Sequence, residues 1–469
     1  MAAFTILNSI LRALLSVASV LLPPGAETAD LPRGQVVESL AAAADPSQTY
    51  ALYVPRSYDS AQPAPILYLL DPRGRALLPI ERFRAAAEAT GVVLASSYRS
   101  RSDEPVDPNL PALRALWADT HARLTVDDRR VYVGGFSGTA RAACLMADLA
   151  PGSIAGVIAA GAGFAASHPP RRDTSFLYFA AVGDTDFNYG EMQELDRTLA
   201  QLGLPYRLEV FPGNHDWMPE DVATAAVRWM ELRVRRDAAR AAIPDLLATC
   251  WTRDRDRASA LEEASRPFEA WRQWSWMARD YDGLRDVTEA RTQGARLAEA
   301  ARRDERERTA RELRERGQIE AAQRILAATN APDSEPWLLG RVVSDLQVER
   351  LRRLATDEGE EGRSARRILN AVFVQTAFYL PRDAQKHGDH ETAARFLSVA
   401  TALRPEDAQV WYRLAAAQSR AGRRRPAIDS LRRALAAGFT DGARLAGDAD
   451  FDRMRQDAEF RGLVARLAR

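Results

Sequence analysis

The chain has 469 residues, of which 46% are hydrophobic and 27% charged, with 64 basic side chains against 64 acidic ones. That length exceeds one ordinary domain, so two or three are expected. Balanced charge argues against a general nucleic-acid or anionic-surface binder, and the absence of long polar tracts excludes a disordered chain. Almost every basic residue is Arg, with Lys386 the exception, and Ala is abundant. This is a composition bias, and single arginines carry no functional signal within it.

Phe4 to Leu22 is almost wholly apolar, with Asn8 and Arg12 its only strongly polar residues, and Pro23-Pro24-Gly25 and the small-residue stretch to Ala29 follow. Residues 1–29 read as a secretory signal, with an uncleaved membrane anchor as the alternative. Either reading sends the remainder across the inner membrane. The expected location is periplasmic or secreted, or else tethered to that membrane through this segment alone.

From about Thr49 to Arg235 short β-type runs alternate with helical stretches. The expected strands are Tyr50–Val54, Ile66–Leu70, Val92–Ser96, Val131–Gly134, Gly156–Ala160, Phe176–Val182 and Arg207–Phe211. Helical patterns occupy 78–90, 110–123, 140–149, 191–202 and 220–235. Alternation of this kind predicts an α/β domain over residues 30–240: a mostly parallel sheet covered on both faces. In such sheets chemistry gathers at the carboxyl ends of the strands.

Three of those ends carry reactive residues. After Val131–Gly134 the chain reads Gly135-Phe136-Ser137-Gly138-Thr139, then turns alanine-rich and helical. This is a strand–elbow–helix pattern, one residue away from G-x-S-x-G, with Ser137 as nucleophile. A serine nucleophile needs a base and the base an orienting acid. There are five histidines. His387 and His390 lie in the helical half, His121 in a helix before the elbow strand, and His168 in a Pro- and Arg-rich connection. His215 alone follows a late strand and precedes a helix, on the edge where Ser137 emerges. The acid belongs between them, after Phe176–Val182, where Asp184 and Asp186 compete; either side chain is also a plausible turn cap. The oxyanion hole takes the N–H of Gly138 and a second donor from Asp71-Pro72-Arg73-Gly74-Arg75, after the early strand Ile66–Leu70. Pro72 has no N–H, so Arg73 comes first and Gly74 second.

Cys144 and Cys250 are far apart in sequence and show no metal spacing, so they read as two buried thiols. No cofactor or metal is implied.

Gly134 to Arg141, Gly183-Asp184-Thr185-Asp186-Phe187-Asn188 and Gly213-Asn214-His215-Asp216-Trp217 together resemble the α/β-hydrolase esterases. The nearest group holds feruloyl esterases, polyhydroxybutyrate depolymerases and dienelactone hydrolases, and the resemblance covers roughly residues 45–235. Related hydrolases often place their acid in a Gly-x-x-Asp turn, which selects Asp186 over Asp184. The resemblance implies a serine hydrolase that cleaves carboxylic esters through an acyl-enzyme; a peptidase on the same fold, or a degenerate scaffold that binds protein partners, are the alternatives. Two departures stand out. Thr139 replaces the last glycine of the elbow, so the expectation is a strained elbow or a helix displaced outward. Between Ala160 and Phe176, where many relatives insert a lid, there is only a short connection. An open site suits a bulky ester or a peptide.

Beyond residue 240 the β signals nearly vanish, and residues 241–469 are expected to be all helical. Gly388, Ala393, Leu397 and Ala400 recur as Gly422, Ala427, Leu431 and Ala434, each offset by 34 residues. Gly317, Ala322, Leu326 and Thr329 form a weaker copy. The period and its small–large–small pattern resemble tetratricopeptide repeats, clearest over 374–441. Pro381 stands at a helix position normally held by a small residue, so that helix is expected to break or start late. Such repeats imply a groove for a protein partner.

Overall fold

A computed structural model of the chain describes residues 31–237, 244–329 and 337–467. The secretory or anchor segment at 1–29 lies outside the described residues. The chain divides into two units, 1–309 and 310–469.

The first unit is built on one eight-stranded sheet in the order β1-β2-β4-β3-β5-β6-β7-β8. The strands are β1 (Val36–Ala42), β2 (Asp45–Tyr53), β3 (Ala64–Leu70), β4 (Val93–Ser97), β5 (Val126–Phe136), β6 (Gly156–Ala160), β7 (Leu177–Gly183) and β8 (Tyr206–Phe211). β2 runs antiparallel to both its neighbours, and β3 to β8 are mutually parallel. The β1–β2 hairpin is absent from the sequence-based elements in its first half. Its residues Val-Val-Glu-Ser-Leu-Ala-Ala do not alternate, and its pairing is broken by two register shifts.

Side chains of β3 show why helices must cover both faces. Ile66, Tyr68 and Leu70 enter one buried cluster and Leu67 and Leu69 the other, as a period of two requires. On the first face lie α2 (Asn109–Arg123), α3 (Gly138–Leu149) and α4 (Tyr189–Leu202), contributing Leu116, Ala143 and Leu199. On the second lie α1 (Leu77–Thr90) and α5 (Glu220–Asp237), contributing Phe83 and Met230.

The sheet ends near residue 211, but its unit continues to residue 309. The boundary drawn at 240 from the loss of β signals therefore falls inside this unit. The cause is charge on the edge strand. β8 is buried throughout although it carries Arg207 and Glu209. Helices α6 (Pro244–Glu263) and α7 (Pro267–Asp280) bring their partners. Arg207 Nε donates to Asp280 Oδ2 at 2.9 Å and its Nη2 stands 2.8 Å from Asp254 Oδ2. Arg253 grips Glu209 with two bonds of 2.5 and 2.8 Å. Burial opposes ionisation of Glu209 and Asp280, yet the guanidiniums of Arg253 and Arg257 hold the first at about 2, and those of Arg207 and Arg279 the second at about 2.

The division between units falls within α8 (Thr288–Thr329). Unit 2 is all helical from there: α9 (Leu338–Asp345), α10 (Val348–Leu354), α11 (Glu360–Val374), a π-helical turn (Gln375–Tyr379), α12 (Leu380–Lys386), α13 (His390–Leu403), α14 (Ala408–Arg420) and α15 (Arg424–Ala436), followed by shorter helices. The break or late start expected at Pro381 does not occur: α11, the π turn and α12 run on without a gap, and the wide π turn stands immediately before the proline, with Leu380 N–H bonded back to Gln375 O. Gly388 and Gly422 both adopt positive φ, at 75° and 77°, and each ends the preceding helix. Ala393, Leu397, Ala400 and their counterparts Ala427, Leu431 and Ala434 are completely buried. The weaker copy departs from this pattern: Gly317 lies inside the uninterrupted α8, so no turn forms there.

Candidate active site

Ser137 stands between β5 and α3 with φ 55° and ψ −127°, a conformation that costs free energy for a residue with a side chain. Its N–H is held by Ala160 O at 2.8 Å. The turn is closed so tightly that a Cβ on Gly135 would lie 2.4 Å from Thr139 O, so only glycine fits.

The chain brings three of the expected residues into line. His215 Nε2 lies 2.9 Å from Ser137 Oγ, and His215 Nδ1 lies 2.9 Å from both carboxylate oxygens of Asp186. A carboxylate only accepts, so Nδ1 carries the proton and Nε2 is left to accept from the serine. The Asp186 side chain is buried, and Asn188 N–H donates to its Oδ1 at 2.8 Å. The His215 side chain is 18% exposed. Its ring is packed between Phe136 and Phe187, with centroids 4.6 and 4.1 Å away. Ser137 and Gly138 are half-buried, and the connection from Gly161 to Ser175 carries no helix or strand over them.

Asp184 does different work. Its Oδ1 accepts the Gly213 N–H at 3.0 Å and so holds the turn that carries His215. Thr185 adds bonds to Gly213 O and Asn214 Oδ1 at 2.8 and 2.7 Å. The acid loop and the histidine loop are thus one hydrogen-bonded piece.

The loop expected to give the second oxyanion donor is turned inward. Arg73 N–H donates to Asp71 Oδ1 at 2.8 Å, Arg75 N–H to the same atom at 3.2 Å, and Gly74 N–H to Asp71 O at 3.0 Å. The Asp71 carboxylate is completely buried and is further held by Arg75 Nη2 and Trp217 Nε1, each at 2.9 Å. Burial opposes its charge, and those donors still lower its pKa below the usual value. Arg73 therefore does not present a free N–H beside Gly138 in this state. The N–H of Gly138 has no such competitor among the backbone bonds of the turn.

Sequence reasoning overlooked the supports. Gly161, at the end of β6, has φ 63°, and its carbonyl accepts from Asn188 Nδ2 at 2.7 Å. Asn188, two residues beyond Asp186, thereby holds both the acid and the Gly161 turn. The aromatic flanks come from the residues just before Ser137 and just after Asp186, a signal present in the motifs themselves.

No family model and no curated protein matches the sequence. Among solved structures the sheet-bearing part is similar to S-formylglutathione hydrolase from Staphylococcus aureus, with 14% identity over 39% of this chain and 90% of that one and a TM-score of 0.33. It is similar also to a ferulic acid esterase (18%, 41% and 94%, TM-score 0.32). An esterase from the archaeon Pyrobaculum calidifontis gives 13%, 50% and 93%, with a TM-score of 0.35. Strand order, the antiparallel β2 and the serine elbow after β5 give the sheet-bearing part its class. Its fold is that of the α/β-hydrolases. Among the described residues of this α/β unit and of unit 2, no group of three or more His, Cys, Asp or Glu side chains could hold a metal ion. Cys144 and Cys250 are both free and buried.

Proposed function

We propose that this protein is a serine hydrolase that cleaves carboxylic esters through an acyl-enzyme. The observation that carries the reading is the unbroken line Ser137 Oγ–His215–Asp186, each link 2.9 Å, at a strained elbow. His215 Nε2 takes the Ser137 proton as Oγ attacks the ester carbonyl. The C–O π pair moves onto the carbonyl oxygen, and the Gly138 N–H stabilises that oxyanion. Asp186 stabilises the imidazolium that forms and fixes its tautomer. The imidazolium then protonates the departing alkoxide. Water, deprotonated by His215, cleaves the acyl-enzyme by the same path and restores Ser137. Arg73 serves as the second donor only by releasing Asp71 Oδ1, and turning that peptide also takes Pro72 O from the Ser102 N–H that it accepts at 3.1 Å. The uncovered connection at 161–175 favours a bulky acyl or alcohol group.

Thr139, the residue that best supports a degenerate scaffold, has its hydroxyl fully bonded, which weighs against that alternative. Labelling with a fluorophosphonate tests the reading: the wild type should label and Ser137→Ala should not. Equal labelling of both would sink it. Hydrolysis of p-nitrophenyl esters against aminoacyl anilides then separates ester from peptide substrates. The apolar segment 1–29 supports export, and the repeating helices a protein partner; cell fractionation and pulldown with the full chain test these two proposals.

A further inference from the structure

Thr139 stands at the last position of the G-x-S-x-G pattern, where that pattern has glycine, and it is completely buried. Its Oγ1 stands 2.5 Å from Leu70 O, 2.8 Å from Phe136 O and 3.1 Å from Phe136 N. The hydroxyl has one proton and two lone pairs. It donates to Leu70 O, the shortest contact, and accepts from the Phe136 N–H. Leu70 is the last residue of β3 and pairs with Gly135 of β5 in the sheet. The hydroxyl therefore bridges the two strands where the ladder ends, as an ordered water would, but covalently fixed to the helix that begins at Gly138.

Each atom it holds adjoins the proposed chemistry. Phe136 immediately precedes Ser137, and its ring packs against His215 at 4.6 Å. Leu70 immediately precedes Asp71, which organises the 71–75 loop. The elbow and that loop must stand at a fixed separation for the Arg73 N–H, once released from Asp71, to join that of Gly138 on one oxyanion, and a misplacement of about 1 Å can cost on the order of a hundredfold in rate.

We infer that Thr139 is a positioning residue: its side-chain hydroxyl, wedged between the ends of β3 and β5, sets the spacing between the nucleophile elbow and the oxyanion loop. The inference rests on the hydrolase reading above. It implies that glycine at position 139, though it completes the G-x-S-x-G pattern, harms this protein, because the strand ends are spaced for a hydroxyl.

The test uses the full chain with Thr139→Gly, Thr139→Val and Thr139→Ser, assayed on a p-nitrophenyl ester well below each variant's unfolding temperature. Thr139→Gly and Thr139→Val should lose on the order of 10- to 100-fold in kcat with KM within about twofold, whereas Thr139→Ser stays within about fivefold of wild type. A purely structural role would lower the unfolding temperature and leave kcat of the folded protein unchanged. Thr139→Gly adds no bulk, so it serves if the valine variant does not fold. The inference is overturned if Thr139→Gly keeps wild-type kcat, or if Thr139→Ser loses as much as Thr139→Val. If the wild type itself neither labels with fluorophosphonate nor turns over ester, the hydrolase reading fails and this inference falls with it.

Discussion

Gly161 faces the hydrogen bond between His215 and Asp186 with nothing between. A Cβ there would lie 3.0 Å from His215 Nδ1 and 3.1 Å from Asp186 Oδ2, and the backbone is already at φ 63°. The glycine thus lets the β6 turn approach the histidine–aspartate pair edge-on. Gly161→Ala should lower kcat by roughly 10- to 100-fold by pushing the imidazole off Ser137. Gly203 makes the control: it has φ 70° with no atom near a built Cβ. Gly203→Ala should cost a similar amount in backbone strain, about 1 kcal/mol, and leave kcat alone. Equal kcat in both variants would remove Gly161 from the site.

The two aspartates of the β7 loop should separate cleanly. Asp186 holds the imidazole, whereas Asp184 holds the Gly213 N–H. Asp186→Asn should cut kcat on the order of 10³- to 10⁴-fold. Asp184→Ala should stay within about tenfold, and it should lower stability by ~1 kcal/mol through the lost turn bond. A larger kcat loss at Asp184 would reverse the assignment. Steady-state kinetics and urea unfolding on the same preparations read both quantities.

Legibility in the sequence followed the type of interaction. The parallel strands were visible because they are short, β-branched and buried on both sides; β6 falls at 156–160 as its sequence predicts. Ser137 and His215 could be singled out because each is bound to the end of a strand, whereas position alone left Asp184 and Asp186 competing and the resemblance chose Asp186. Features made by approach between distant segments were not visible. The Asp71–Arg73 bond is a local turn that the sequence does carry, but nothing near Arg73 shows that Trp217 reaches across 146 residues to fix the same carboxylate. Nor does Thr139 show that its hydroxyl reaches Leu70, across 69 residues of chain. The charged residues of β8 were hidden by composition. In a chain rich in arginine, Arg207 looks like surface charge until α6 and α7 are seen to cover it, and Arg253 until its side chain is seen to reach Glu209.

The buried carboxylates of that edge predict the acid limit of the sheet-bearing unit. Glu209 and Asp280 are both held at about 2 in the folded chain. Unfolded, such groups titrate near 4. A depressed folded pKa contributes stability that is fully present above the unfolded value and is lost as pH falls through the folded one. Urea midpoints should therefore fall steeply between about pH 4 and pH 2. Glu209→Gln should flatten part of that slope, and an unchanged slope would show that Glu209 does not govern it.

Where the sheet-bearing unit ends is itself testable. A chain stopped at residue 240 leaves Arg207 without Asp254 and Asp280, and Glu209 without Arg253. Removing one partner of a buried ion pair typically costs about 3–5 kcal/mol, because the remaining charge is left in a poor solvent. Two such losses on one strand approach the whole stability of an ordinary domain, about 5–15 kcal/mol. A chain of residues 31–309 keeps every one of these partners. It should be soluble, unfold cooperatively and label at Ser137, whereas residues 31–240 should be insoluble or lack a cooperative transition. Adding Arg207→Met and Glu209→Met to the shorter chain removes the stranded charges and should recover part of its solubility. If residues 31–240 fold and label like the longer chain, the ion pairs of β8 do not define the unit.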